Sequence, residues 1–168
     1  MILDVRSILH TPGKWLDFRF ELDLSDVEFA GRRPISRPVA VEGEVRNSAD
    51  VLTLTMTART TLDAVCDRCG KAFLQDKAVS YSCVLAEEVQ GEDSDEIVLL
   101  EAGAADVGEL ARTAWILGMD TKTLCSEDCK GLCPRCGADL NDGPCGCGRE
   151  VDPRLAVLAA LLEDKENK

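Results

Sequence analysis

Two Cys-x-x-Cys-Gly knuckles, Cys66-Asp-Arg-Cys69-Gly70 and Cys133-Pro-Arg-Cys136-Gly137, constrain this chain more than any other feature. Two intervening residues let both thiolates of a pair turn toward one ion, and the glycine lets the backbone direct its amides at the sulfurs. Seven residues of this chain's nine-cysteine set lie outside the first knuckle: Cys83, Cys125, Cys129, Cys133, Cys136, Cys145 and Cys147. Asp4 and Arg6 fall where a signal peptide needs its apolar stretch, and the longest apolar run, residues 155–162, is too short to cross a bilayer. The expected compartment is therefore the cytoplasm. In a reducing cytoplasm, cysteines at this density point to metal rather than to a disulfide framework.

The segment from Cys125 to Cys147 reads CSEDCKGLCPRCGADLNDGPCGC. Cys133 and Cys136 supply one pair of ligands, and Cys145 and Cys147 supply a second. Gly143, Pro144, Gly146 and Gly148 suit the tight turn that this requires. Four thiolates around zinc make a closed structural site with no open position for a catalytic water. Leu140 is placed to cap such a site, and Asn141 to serve as a turn residue. A second tetrathiolate site is available to Cys66, Cys69, Cys125 and Cys129, with the last two at i and i+4 facing one way across a helical turn. A redox pair at Cys66 and Cys69, or another ligand grouping in the C-terminal segment, competes with it. A thioredoxin-like pair, however, opens a helix in a βαβ unit, whereas Cys66 follows a strand. Cys83, alone in a strand, reads as a core residue.

Elsewhere the pattern is β-rich. Leu16, Phe18, Phe20 and Leu22 alternate with polar residues, Val39, Val41 and Val45 keep the same parity, and Leu52 to Leu62 continue it in a third strand. Gly43 reads as a possible bulge and Asn47-Ser-Ala-Asp50 as a hairpin turn. A fourth strand is expected over residues 77–85 and a fifth over 96–100, with the acidic run 87–96 between them as a solvated loop or a docking surface for a basic partner. Asp106 caps a helix whose apolar stripe is Val107, Leu110, Ala111, Ala114 and Leu117, with Trp115 packing beside it and Gly118 ending it. Asp152-Pro153 opens a closing helix with Leu155, Leu158, Ala159 and Leu162 on one face. The expected class is α+β: a mostly antiparallel sheet or partial barrel with a helix, then a zinc-ribbon-like hairpin and a closing helix. The corresponding regions are a β-rich domain at 1–120, a cysteine-rich segment at 121–150, and a C-terminal helix with a charged tail at 151–168.

The net charge is −12; residues 1–81 hold 11 Lys and Arg against 12 Asp and Glu, and residues 82–168 hold 8 against 19. Such a chain repels phosphate backbones at long range, so a basic protein is a better partner than naked RNA. Local contacts to RNA phosphates fall to Arg32, Arg33, Lys130 and Arg135 if they occur. His10 stands alone, and no phosphate-binding glycine loop, H-E-x-x-H or G-x-S-x-G motif is present. The reading is of a protein that is not an enzyme.

The first knuckle after a strand, the stretch from Cys129-Lys-Gly-Leu-Cys133 through Leu140-Asn141 to Cys145-Gly-Cys147, and Asp152-Pro153-Arg154-Leu155 together resemble the YceD family. The resemblance implies a bacterial protein that supports accumulation or processing of 23S ribosomal RNA. It implies as partners a ribosomal protein or pre-ribosomal particle, with possible contact to ribosomal RNA. The alternatives are a zinc-ribbon interaction module without a ribosomal role and, behind it, a thiol oxidoreductase using Cys66 and Cys69.

Overall fold

A computed structural model describes residues 1–88 and 97–147, and the expected closing helix at 152–162 lies outside them. The chain divides into two units, Met1–Asp67 with Lys71–Cys125, and Arg68–Gly70 with the residues from Ser126 onward.

The first unit is built on a five-stranded sheet. Its strands are β2 (Trp15–Leu22), β3 (Val39–Ser48), β4 (Val51–Val65), β5 (Ala72–Ala86) and β6 (Ile97–Leu99), in that spatial order. The first four pair antiparallel, and β6 runs parallel to the end of β5 through Val84–Ile97 to Ala86–Leu99. A separate two-stranded sheet joins β1 (Ile2–Asp4) to β7 (Ala104–Asp106), and the described residues of the unit also form the helices α1 (Arg6–Leu9) and α2 (Val107–Leu117). β5 starts five residues before the expected position and forms a long ladder with β4, from Val65–Ala72 to Leu52–Leu85.

Side-chain alternation puts Phe18, Val39, Val41, Val45, Leu54, Met56, Ala58 and Cys83 on one face of the sheet, where they join Val5, Ile8, Leu24, Ile35, Val107, Ala111 and Trp115 in a single core. The opposite face carries rows of polar residues: Trp15–Arg46–Thr53, Asp17–Glu44–Thr55–Ser82 and Arg19–Glu42–Thr57–Ser80. Arg46 lies over the Trp15 ring at 5.5 Å, and Arg59 pairs with Glu42 across the strands. Such exposed pairs contribute little stability singly; the sheet is held by its buried face.

The hairpin between β3 and β4 turns at Ala49 and Asp50, both with positive φ (52° and 67°), the primed-turn geometry that matches strand twist. Asn47, expected only as part of this turn, is completely buried. Its side-chain amide donates to the carbonyls of Ile8 (2.8 Å) and Leu9 (2.9 Å), and its Oδ1 accepts from the Asp50 amide (3.0 Å). One side chain thus fixes both the hairpin and the end of α1.

Gly43 is not a bulge. The ladder runs unbroken through it, pairing it with Phe18 on one side and Met56 on the other. A Cβ there would collide with the Thr55 carbonyl oxygen and would meet Met56 Cβ and Phe18 Cζ at 2.7 Å. The residue is small because the Phe18 ring packs across it. Gly43→Ala is expected to destabilise the protein by about 2–3 kcal/mol, read as a fall in urea midpoint with unchanged m-value.

Asp106 caps α2 as the sequence suggests, accepting from the amides of Gly108 (3.0 Å) and Glu109 (3.1 Å). The Glu109 amide is the main reason its carboxyl titrates below the usual carboxylate range. Trp115 is wholly buried. Gly118 ends the helix at φ −83°, so no left-handed cap is formed. Its size is set by Val79, whose methyl groups would lie 2.8 and 2.9 Å from an added Cβ. Among the described residues no helix is long and apolar enough to cross a membrane.

Candidate metal centre

The described residues 126–147 of the second unit carry little apolar material. Among its described residues 126–147 the large aliphatic side chains are Leu132, which is exposed, and Leu140, which is half-buried. None of these residues belongs to the hydrophobic core cluster. A segment that cannot bury apolar surface needs a cross-link to hold one conformation.

Its backbone is nonetheless specific. The Cys133 amide donates to the Ala138 carbonyl (2.8 Å), the Gly137 amide returns to the Cys133 carbonyl (2.9 Å), and Gly137 has φ +72°. The Cys66–Gly70 knuckle repeats the outer bond: the Cys66 amide donates to the Lys71 carbonyl at 2.9 Å, and Gly70 also has φ +72°. In both knuckles the left-handed glycine lets the chain reverse within five residues, at the position where a side chain would be strained. A further left-handed glycine, Gly131, has the Arg68 backbone within 3.0 Å of where a Cβ would sit.

Two groups of four cysteines could each hold a metal ion: Cys133, Cys136, Cys145 and Cys147, and Cys66, Cys69, Cys125 and Cys129. Within each group the sulfurs lie within 4.8 Å of one another. Both groups are those expected from the spacing. Local bonds within each unit prepare the second group. In the first unit, Asp67 and Thr123 exchange hydrogen bonds: the Asp67 amide reaches the Thr123 carbonyl (2.8 Å), and the Asp67 carboxylate accepts from the Thr123 amide (2.6 Å). In the second unit, Arg68 donates to the Cys129 carbonyl (2.8 Å) and accepts from the Leu132 amide (3.2 Å). Cys125 and Cys129 are not carried by a helical turn. The Cys129 amide closes a tight turn onto the Ser126 carbonyl at 3.2 Å.

Electrostatics separates Cys133 from Cys145 and Cys147 in the C-terminal group. The amides of Cys136 and then Arg135 point at the Cys133 sulfur and, with the Cys145 side chain, hold its thiol down to about 6. Cys147 is pushed up to about 12, first by its contact with Cys136. The Cys147 amide favours the thiolate of Cys145, but contact with Cys133 and burial outweigh it and raise that thiol. One thiolate forms readily, and its charge opposes the next. A divalent cation among the sulfurs removes that opposition, because each thiolate then faces a positive charge. Cys83, in the core, is raised by burial and lies outside both groups.

Two supporting residues escape a reading by motif. Asn141 does turn the chain, with its amide bonded to Asp139 Oδ1 (2.9 Å), but it does more. Its Oδ1 accepts from the Lys130 amide (2.8 Å), and its Nδ2 donates to Cys129 Sγ at 3.5 Å. Arg68, inside the first knuckle, holds the carbonyls of Glu127 and Cys129. Outer partners of this kind orient ligands and tune their charge. Of the cationic residues expected at an RNA contact, Arg32, Arg33, Lys130 and Arg135 are all exposed, and Arg32 forms a bridge with Phe29 through the backbone.

The family model for YceD, described as large ribosomal RNA subunit accumulation protein, matches residues 54–162, which include both cysteine groups. The chain belongs to the YceD family. One YceD relative is the large ribosomal RNA subunit accumulation protein YCED homolog 1, chloroplastic, of Arabidopsis thaliana, 27% identical over 80% of this chain and 52% of its own length. Another is an uncharacterized protein of Mycobacterium tuberculosis, 35% identical over 45% of this chain and 33% of its own length. The chain therefore spans about half of the plant YceD protein and a third of the mycobacterial one. No solved structure matches it. The cysteine groups of the chain are compatible with metal binding.

Proposed function

We propose that this protein is a non-catalytic ribosome-biogenesis factor that supports accumulation or processing of 23S ribosomal RNA, with zinc fixing its cysteine-rich segment. The observation that carries the ribosomal part is the family match across residues 54–162. The zinc part is supported by the two groups of four cysteines, and by residues 126–147 contributing nothing to the hydrophobic core among the described residues. Cys133, Cys136, Cys145 and Cys147 are the first site and Cys66, Cys69, Cys125 and Cys129 the second, both structural and closed to catalytic water. The burial of Cys66 and Cys69 disfavours a thiol oxidoreductase, whose nucleophile needs access.

The factor docks on a ribosomal protein or precursor particle, as its acidic charge favours. Arg32, Arg33, Lys130 and Arg135 supply any contacts to RNA phosphates. The test is depletion in the cells that make the protein, followed by profiling of ribosomal RNA. Loss of 23S RNA relative to 16S is expected, with recovery on re-expression. Unchanged 23S RNA, with no ribosomal component co-purifying, would leave a zinc-bearing interaction module without a ribosomal role.

A further inference from the structure

The groove formed by Ile2, Val98, Leu99, Ala104 and Leu110 lies outside the cysteine groups, entirely within the first unit. Its volume is about 380 Å³, and it runs between β6 and the β1–β7 pair, reaching the first turn of α2. Ile2 is 72% exposed and Leu99 54% exposed, an unusual cost for aliphatic side chains that line a common depression. Within the described residues β6 is paired on one side only, by β5.

The charged side chains that line the groove are all acidic. Glu101, Asp106 and Glu109 line the groove, and no Lys or Arg does. Arg6 pairs with Asp4 at 3.0 Å and Arg112 with Asp26 at 3.0 Å, and Arg112 also feels the charge of Glu109. Asp106 is engaged by the cap of α2 and by the Met1 amine at 3.3 Å, whereas Glu101 and Glu109 make no ion pair among the described residues. Apolar walls, a strand edge unpaired among the described residues and acidic side chains on the rim define the occupant. Its aliphatic side chains would enter the groove, its backbone would meet β6, and its Lys or Arg side chains would reach the carboxylates of Glu101 and Glu109.

We propose that this groove docks a Lys- and Arg-rich protein segment that carries aliphatic side chains. The proposal rests on the ribosomal reading only for the source of that segment, a basic ribosomal protein; the groove's selectivity is independent of it. Nucleic acid does not fit, since its phosphates would face the same carboxylates that a basic peptide neutralises.

The test uses the purified full-length protein and two fluorescein-labelled octapeptides, one alternating Lys and Leu and one alternating Glu and Leu, followed by anisotropy. The Lys-Leu peptide is expected to bind and the Glu-Leu peptide not to. Leu99→Ser, which removes an exposed side chain, is expected to weaken binding about tenfold without changing the melting temperature. Glu101→Gln with Glu109→Gln is expected to weaken it at least as much. Glu21→Gln with Glu28→Gln, which removes the same charge elsewhere, should leave it within about twofold. Equal losses from both glutamate pairs, with Leu99→Ser inert, would overturn the proposal in favour of general charge attraction. So would a groove buried in a homodimer that Leu99→Ser dissociates, or ribosomal RNA oligonucleotide binding that the same variant abolishes. Normal 23S levels on depletion alongside intact peptide selectivity would remove the ribosomal reading alone; lost selectivity with 23S still dependent on the protein would remove the groove alone.

Discussion

Purified protein is expected to carry two equivalents of zinc, and Cys133→Ser or Cys136→Ser to carry one. The physical reason begins with what residues 126–147 lack. With Leu132 exposed and Leu140 half-buried, they cannot offset the conformational entropy of ordering some twenty residues by apolar burial. Binding of a structural zinc ion by four thiolates contributes about 10–16 kcal/mol in small metal-dependent folds, enough to decide whether such a segment is ordered. Removal of that ion should therefore release the segment while leaving the first unit folded on its own core. Amide hydrogen exchange separates the two. After chelation, protection is expected to vanish for the Cys133 and Gly137 amides, which bond within the knuckle, and to persist at Val41, Val45 and Leu54 in the sheet. Simultaneous loss of protection in the sheet would show that the unit depends on the metal as a whole. Protection at Cys133 that survives chelation would show that the thiols do not need an ion.

Much of this site was legible in the sequence, because ligand spacing is a local property. A Cys-x-x-Cys-Gly knuckle needs only five residues to define its geometry, and the two knuckles use the same amide-to-carbonyl closure. The contributions of Asn141 and Arg68 were not legible. Asn141 lies 12 residues from the thiol it donates to, and Arg68 lies 61 residues from the carbonyl it holds; no short pattern encodes either separation. The sheet followed the same rule. Strands with one buried face announced themselves by alternation, while β1 and β7, three residues each, are too short to alternate visibly. Residues 72–76 of β5 were missed because little of that stretch is buried, so hydrophobic patterning had nothing to mark. Gly43 was misread for a related reason: a bulge and a packing site under an aromatic ring look alike until the register is known.

Asn47 shows where a sequence pattern understates a residue, and its replacement should be among the most damaging in the first unit. Asn47→Ala removes two donors and one acceptor at a site with no exposure, leaving the carbonyls of Ile8 and Leu9 and the Asp50 amide without their partner. Each buried polar group left unpaired costs about 1–3 kcal/mol, and partial entry of water reduces the sum, so a loss of about 3–4 kcal/mol is expected. Chemical denaturation measures it directly. Asn47→Asp distinguishes hydrogen bonding from shape. It keeps the volume and the acceptor for Asp50 but turns a carboxylate oxygen toward two carbonyls, so at neutral pH it should be at least as destabilising as Asn47→Ala. Protonation restores one donor. The difference in stability between Asn47→Asp and the parent should therefore be smallest at acidic pH and widen as pH rises, because the folded variant binds its proton more tightly than the unfolded chain does. A difference that does not vary with pH would mean that the cost comes from packing around the side chain and not from the donors it supplies.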